Sequence, residues 1–369
     1  MNKLIIASAG SGKTTFIVND AIEKSRQGDR VLITTFTVAC EQEIRDKIVG
    51  VCGFIPEPIS IITWFSFLLN HGVKPFQGRL FEFDTRGMIL VNGKSGFRFK
   101  NRRGQPIYWG ENNFARYFFT SDKKVYSDKL ALLALRCNEK SEGRVFDRIA
   151  RCFNHIYIDE VQDLAGYDLE VLEELFQSKA EVTLVGDPRQ ATYSTVNTRK
   201  NKKYAKANIV NFFEDTSLNI EKDDESLVIN HRCHSAICDF SNRLYPDWVP
   251  AQPTEDDASG HDGLFALDEK KVDHYLELYK PIQLRDSAKK HVNEDYPVLT
   301  FGKSKGLTYP RVLIYPSGPM IKWLKNPNED LTQAARSKFY VALTRAKHSV
   351  AIVLKASDIK GIPDLAECK

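Results

Sequence analysis

The stretch Ala7-Ser8-Ala9-Gly10-Ser11-Gly12-Lys13-Thr14-Thr15 constrains the fold more than any other part of this 369-residue sequence. It follows the apolar run Leu4-Ile5-Ile6 and leads into Phe16-Ile17-Val18. An apolar run that becomes a small-residue loop and ends in Lys-Thr at the start of a helix has the strand–loop–helix context of a phosphate-binding loop. Small residues let backbone N–H groups close round a phosphate, and the helix N-terminus adds unpaired donors and a favourable dipole. On this reading Ala9, Gly10, Ser11, Gly12, Lys13, Thr14 and Thr15 hold the phosphates. Lys13 neutralises the β- and γ-phosphates, and Thr14 places its hydroxyl on Mg²⁺. Ala7 stands where the strict pattern has Gly. An ordinary glycine turn ahead of a helix is the plainer reading, and the flanking context favours the phosphate loop.

The length suggests about two domains with a real core. No apolar run approaches the ~20 residues of a membrane span, so no membrane is expected. Met1–Ile6 is too short for the apolar part of a signal peptide and runs straight into the loop. The 7 cysteines, at 40, 52, 137, 152, 233, 238 and 368, form no CxxC pair. An odd, unpatterned set fits a reducing compartment, and a cytoplasmic protein is the expectation.

Residues 3–50 read as β-α-β-α. Val31–Phe36 is a buried-type strand, Thr37 caps the next helix, and Ile59–Phe67 reads as a further strand and turn. Strands separated by helical segments imply a parallel sheet. From about 70 to 150 the chain turns basic and aromatic, with Phe97–Arg103, Tyr108-Trp109 and Phe114–Phe119, and a charge of about +8. Two readings stay open there: a solvated basic face over a small core, or an inserted subdomain touching a nucleic-acid backbone, with some aromatics free to stack on bases.

The stretch His155–Asp163 reads as a strand ending in two acids, Asp159 and Glu160. Taken alone, two acids at a strand end are common. Downstream of a phosphate loop they suit a second metal-site element, with Asp159 on Mg²⁺ and Glu160 activating the attacking water. A helix through Leu169–Phe176 and a strand over 181–185 follow, ending in Gly186-Asp187-Pro188-Arg189-Gln190. Three strand ends then carry polar groups on one side of an open α/β sheet, where such sheets place their sites.

These elements, in order, resemble the UvrD/Rep/PcrA group of superfamily-one DNA helicases across nearly the whole chain. Thr35–Ala39 resembles that group's TFTNKAA element, and Thr63–Phe67 its TFHSF element with Phe65 for His. DEVQD at 159–163 resembles its acidic motif, and Val185–Tyr193 its VGDxxQSIY. Asn230-His231-Arg232 resembles NYR, Thr300–Leu307 resembles TxHxxKGLEF, and Phe339–Lys347 resembles YVALTRAK almost letter for letter.

The resemblance implies an α/β fold of two RecA-like parallel-sheet lobes, a P-loop NTPase with the basic insertion in the first lobe. The lobes are expected at about 1–218 (insertion 70–150) and 219–369, with ATP hydrolysed between them. It implies Gln190 as γ-phosphate sensor and Arg232 and Arg345 as cationic fingers, roles that suit a planar, permanently charged fork. His231 takes the adenine-stacking position, and Gly306 joins the nucleotide site. DNA contacts are expected from Thr35, Phe36, Trp64, Phe65, Tyr193 and Thr300, and the basic run Thr198–Lys206 reads as a solvated loop or a phosphate track. His231, Cys233, His234 and Cys238 also have a metal-like spacing, but it fits a helix in a known motif.

The expected activity is an ATP-dependent, 3′→5′ single-stranded-DNA translocase or helicase acting on single-stranded DNA or tailed duplex. Several departures qualify that expectation. The sequence has no glutamine motif ahead of its first strand, so relaxed adenine selection is expected. Ser194-Thr195-Val196 replaces a base-stacking Trp-Arg-Gly stretch. Only about fifty residues separate the Arg232 helix from Thr300. They read as strand 264–267, helix 272–279 and strand 282–285, with Pro246–Gly260 as a surface loop and no room for the group's large helical insertion. Short proteins of this kind resemble the helicase-like component of Gabija anti-phage defence systems, which implies antiviral defence and an OLD-family (ATPase plus TOPRIM) nuclease partner. The alternative function is therefore a nucleotide-gated DNA-sensing regulatory component of a nuclease complex, with little unwinding of its own.

Overall fold

The structure, a computed structural model, describes residues 1–192, 200–216, 218–254, 256–362 and 365–368. The chain divides into two compact units. The first comprises Met1–Ile5, Thr14–Gly186 and Ser194–Lys222; the second comprises Ile6–Lys13, Asp187–Tyr193 and Asp223–Lys369.

The first unit is built on a six-stranded sheet in the order Ile220–Asp223, Asn2–Ile6, Glu181–Gly186, His155–Ile158, Val31–Thr35, Ile59–Thr63. Val31–Thr35 pairs in parallel with Ile59–Thr63 and His155–Ile158, and the latter with Glu181–Gly186. Val31–Thr35 is buried throughout, as its unbroken apolar and β-branched run requires of a strand covered on both faces. The register aligns Thr35 with Thr63 and Ile158 with both Thr34 and Leu184. The carboxyl ends of these strands therefore share one edge, which Asp159 and Glu160 extend. Thr37 caps the helix Val38–Cys52 by accepting from Cys40 N, and Gly53 closes it at φ 80.

Beyond Thr63 the expected turn is a longer helical run. Trp64–Phe67 is α-helical, Leu68–Val73 is a π-helix and Lys74–Arg79 is a 3-10 helix. Gly72 fits there because a Cβ would lie 2.8 Å from that of Ala134. The basic insertion is a small body of its own. Gly87–Ile89 pairs with Lys124–Tyr126, and Phe97–Lys100 forms an antiparallel ribbon with Pro106–Tyr108. Phe81, Phe118 and Phe119 make its core, whereas Phe97 and Phe99 stay exposed. The insertion thus has a small aromatic core with exposed rings outside it.

The second unit carries a six-stranded parallel sheet in the order Val298–Thr300, Ile282–Arg285, Tyr309–Tyr315, Ala346–Leu354, Gly263–Asp268, Ala366–Glu367. The expected strand 282–285 and helix 272–279 form with the expected bounds. Pro246–Gly260 is not loop throughout: Gln252–Pro253 pairs in parallel with Ile229–Asn230. Among the described residues no helix is long and apolar enough to cross a membrane. All 7 cysteines are free thiols.

Candidate functional site

The phosphate loop is a tight turn held by its own side chains. Ser11 N and Oγ both donate to Ser8 O, at 3.3 and 2.9 Å, and Lys13 Nζ reaches the same carbonyl at 3.3 Å. Gly10 and Gly12 sit at φ 74 and 80, a region that side chains disfavour, and so turn successive amides inward. Gly10 is also needed for space, since a Cβ there would lie 2.6 Å from Asn230 Oδ1 and 2.8 Å from Arg232 Cβ. Its carbonyl accepts from His231 N at 3.0 Å, and Ser8 N donates to Leu227 O at 2.8 Å. The Asn230-His231-Arg232 motif is therefore packed on the loop. Asn230 Oδ1 takes the amides of Arg232 and Cys233, and Arg232 Nη1 donates to Thr344 O at 3.2 Å.

A second set of groups converges on Asp187, which is fully buried. Gln190 Nε2 donates to its Oδ2 at 2.9 Å and Arg189 Nε to its Oδ1 at 2.7 Å. Arg345, also buried, donates from Nη2 to Gln190 Oε1 at 2.9 Å. It also donates to the carbonyls of Val341 and Leu307 and to Thr344 Oγ1. At the other end Arg189 Nη2 donates to Ala7 O at 3.1 Å and Ser8 Oγ at 3.2 Å. One chain of polar contacts thus runs from Arg345 through Gln190, Asp187 and Arg189 to the start of the phosphate loop. Tyr340 adds a further link by accepting from Ala9 N at 3.3 Å. Burial opposes the Arg189 charge, but the adjacent Asp187 carboxylate more than offsets this and holds the guanidinium pKa above its ordinary value. Sequence reasoning missed Arg189 and Tyr340. The signal was an Arg set between the motif's Asp187 and Gln190, and a Tyr inside the matched FYVALTRAK.

In the first unit Asp159 is buried and Glu160 half-buried at the end of the strand His155–Ile158. Glu160 adopts φ 58, a left-handed conformation costing about 1–3 kcal/mol in a non-glycine residue. That turn lets Glu160 N donate to Asp159 Oδ1 at 2.9 Å, while the Glu160 carboxylate accepts from Gln162 Nε2. Thr14 is half-buried in the first turn of the helix Lys13–Arg26, and Thr15 is exposed. In this unit the Thr14 hydroxyl and the buried Asp159 carboxylate are hard oxygen donors of the kind that fit Mg²⁺. The left-handed glycines of the loop separately suit a phosphate. Cys40 lies near the same acids; burial first, then Glu160 and Asp159, push its thiol up to about 11, against a hydrogen bond from Thr37 that lowers it.

The residues expected on DNA divide. Trp64 is fully buried, and its indole N–H donates to Asp168 Oδ1 at 2.8 Å. Thr35 is fully buried as well. Both side chains are buried in the structure of the chain alone. Phe36, Phe65 and Thr300 are half-buried. Tyr193 lies outside the described residues, as do Ser194-Thr195-Val196 and the first two residues of the basic run 198–206. Further along that run Lys200 pairs with Glu170 at 2.6 Å and Lys203 with Asp215 at 3.1 Å. His231 and Gly306 are exposed, the latter at φ 85. Of the metal-spaced residues, Cys233 Sγ donates to Thr344 O and His234 Nδ1 caps the helix Ser235–Asn242, so both are engaged locally.

Two parallel sheets, a glycine-built phosphate loop and acids at the end of the strand His155–Ile158 define a P-loop NTPase with two RecA-like lobes. The family described as AAA domain matches residues 1–196, and the viral superfamily 1 RNA helicase core domain matches residues 123–354. The chain belongs to the superfamily-1 helicases, a nucleotide-binding, nucleotide-hydrolysing class.

Among curated relatives it is 24% identical over 195 residues to Gabija protein GajB of Bacillus cereus (strain VD045), covering 52% of this chain and 38% of GajB. It is 52% identical over 50 residues to an ATP-dependent helicase/nuclease polypeptide of Limosilactobacillus reuteri subsp. reuteri (strain JCM 1112), which is 13% of this chain and 4% of that protein. The matches thus span well under half the length of these relatives. Among solved structures, the Arterivirus nonstructural protein 10 helicase aligns at TM-score 0.46 and 15% identity, over 98% of this chain and 62% of that one. Its complex with DNA aligns at TM-score 0.47 and 14% identity, over 98% and 63%.

Proposed function

We propose that the protein is a DNA-dependent ATPase that translocates 3′→5′ on single-stranded DNA. The observation that carries this reading is the continuous polar chain from Arg345 through Gln190, Asp187 and Arg189 to Ala7 and Ser8. A γ-phosphate drawing on Gln190 or Arg345 would disturb a network that also holds the phosphate loop, as a nucleotide-driven motor requires. Lys13, Arg232 and Arg345 neutralise charge on the transferred phosphoryl group, and Glu160 takes the proton of the attacking water. Thr14 and Asp159 would hold Mg²⁺, which when bound supplies charge neutralisation at the phosphates. His231 stacks on the adenine, and Gly306 lies along the nucleotide. Phe36, Phe65, Tyr193 and Thr300 contact the strand in this reading, and the protein acts in the cytoplasm on single-stranded DNA or tailed duplex.

The test is ATP hydrolysis by the isolated chain with and without single-stranded DNA, in wild type and Glu160→Gln. Stimulation in wild type and a loss of about 10²–10⁴-fold in the variant is the expected result. Absence of stimulation in wild type counts against a translocase.

A second reading is a nucleotide-gated DNA sensor that controls an OLD-family nuclease in anti-phage defence. The burial of Trp64 favours it, because that ring joins the replaced Trp-Arg-Gly stretch as a base platform the chain does not offer. The likeness to Gabija protein GajB points the same way. Robust unwinding of a 3′-tailed duplex by the chain alone would exclude this reading.

A further inference from the structure

The basic insertion contains a built cavity that the motif residues do not use. Residues 94–116 carry six Lys or Arg side chains and one carboxylate, Glu111, which is bound by Arg136 at 2.6 Å. The ribbon Phe97–Lys100 with Pro106–Tyr108 belongs to neither six-stranded sheet, and every residue of its first strand is exposed. Phe97 is 56% exposed and Phe99 45%. Exposed rings beside further apolar surface are a feature of interaction sites.

Beside the ribbon opens a cavity of about 380 Å³, lined among others by Phe97, Trp109, Phe119, Tyr126, Arg116 and Lys123. No carboxylate lines it. Its size falls within the ~300–1,000 Å³ of small-ligand sites. Trp109 lies within cation–π reach of two guanidinium groups, Arg98 at 4.3 Å and Arg116 at 4.8 Å. Stacking fixes each guanidinium plane without using its in-plane N–H donors, which suit phosphate oxygens. Lys123 is held at φ 63, a strained conformation, with Nζ 5.2 Å from the Phe83 ring centre. The acid next to it, Asp122, is tied to Lys124 at 2.8 Å.

We propose that this cavity and ribbon bind a single-stranded polynucleotide, one base entering against Phe97 while flanking phosphates meet Arg98, Arg116 and Lys123. An aromatic face accepts any base, and cations beside it track the backbone. A duplex keeps its bases stacked inside and would leave Phe97 and the cavity unused. An acidic peptide supplies charge but no flat ring for the cavity. The inference shares with the proposed function the presence of a nucleic-acid strand and does not depend on ATP hydrolysis.

The test is equilibrium binding of fluorescent probes to the full chain without nucleotide. The probes are an oligothymidine, an oligouridine, an abasic phosphodiester chain of the same length and a duplex. Wild type is expected to bind oligothymidine about tenfold or more tighter than the abasic chain. Phe97→Ala should weaken oligothymidine by about 5- to 100-fold and the abasic chain by no more than about twofold; Phe97→Tyr should restore the preference. Arg116→Ala should weaken both and lower the log–log salt slope by about one. Comparison of oligothymidine with oligouridine separates DNA from RNA as the source of the strand. Unchanged oligothymidine binding by Phe97→Ala, an equal loss on the abasic chain, or a Phe97-dependent preference for duplex overturns the proposal. So does displacement of oligothymidine and abasic chain alike by polyglutamate, which would mark an acidic-protein surface. If DNA fails to stimulate wild-type hydrolysis while the Phe97-dependent preference holds, the motor reading falls and this site stands.

Discussion

Replacing Arg189 by methionine would remove the centre of the buried polar chain while keeping much of its volume. The side chain is 4% exposed, bonded to a fully buried carboxylate at 2.7 Å, and it also donates to Ala7 O, Ser8 Oγ and Val249 O. Trp248 and Tyr340 lie over its guanidinium at 5.7 and 5.4 Å, so water cannot easily replace it. Breaking a buried pair from one side leaves an uncompensated charge and costs about 3–5 kcal/mol. At about 2–4 °C per kcal/mol for a unit of this size, the midpoint should fall by about 6–20 °C. Arg189→Lys keeps the charge but cannot reach the carboxylate and the loop together, so a loss of about 1–2 kcal/mol is expected. Adding Asp187→Asn to Arg189→Met removes the stranded charge and should recover about 1–2 kcal/mol. Urea unfolding of the four proteins, with slopes compared to exclude a changed unfolded state, measures all three values. Arg189→Met within about 0.5 kcal/mol of wild type would refute the argument, and so would a double variant no better than the single.

Four further outcomes follow from the same structure. Glu160→Gly should hold or raise the unfolding midpoint, because it relieves the φ 58 conformation, yet cut ATP hydrolysis by about 10²–10⁴-fold; a variant that is both active and unstable contradicts this. Gly10→Ala should weaken binding of a fluorescent ATP analogue at least about tenfold, since the new Cβ meets Asn230 and Arg232; wild-type affinity would show that the loop gives way. Trp64→Phe should cost about 1–3 kcal/mol through the lost bond to Asp168 and leave oligothymidine affinity within about twofold, whereas a large affinity loss would return Trp64 to the DNA path. Lys129, buried and donating to Ser95 O and Tyr117 O, has its pKa lowered to about 8, chiefly by desolvation and also by Lys94, against Asp128. The unfolded chain keeps that proton up to about 10.5, so between pH 8 and 9.5 it binds more protons and stability should rise with pH. Melting wild type against Lys129→Met across that range should show wild type gaining on the variant; no gain means that burial does not perturb this amine.

What could be read from the residues was whatever local pattern dictates. The phosphate loop, the cap at Thr37 and the strand 282–285 each depend on neighbours within a few positions, and each forms as expected. Features set by distant partners were not legible in this way. Trp64 sits in a motif-like stretch, and its hydrogen bond goes to Asp168, 104 residues away. Arg189 is placed by Ala7, 182 residues away, and the strand Gln252–Pro253 by Ile229–Asn230. Tertiary partners of this kind leave no periodic trace. In the insertion, composition announced a basic, aromatic body but not which rings it would bury. Phe118 and Phe119 went to its core and Phe97 to the surface, a division set by the ribbon Phe97–Tyr108.

The positions where the chain departs from easy geometry sort the candidate residues further. Among the described residues six non-glycine residues have positive φ. Lys280 ends a helix, Glu142 lies in the link between the helices Leu130–Lys140 and Arg144–Cys152, and Asn201 and Lys206 open short 3-10 turns. In such places a left-handed residue closes or redirects the backbone of an element. Glu160 caps the three-residue turn Val161–Asp163 as Asn201 caps Lys202–Tyr204, a position that glycine would fill with less strain. The Glu160 carboxylate also accepts from Gln162 Nε2. The same reasoning separates Lys123 from the helix-end cases, since it lies in the turn Thr120–Lys124 and faces the aromatic cavity. If Glu160 serves hydrolysis as proposed and Lys123 meets a strand as inferred, relief of strain and loss of function should coincide at Glu160 and Lys123 and come apart at Lys280.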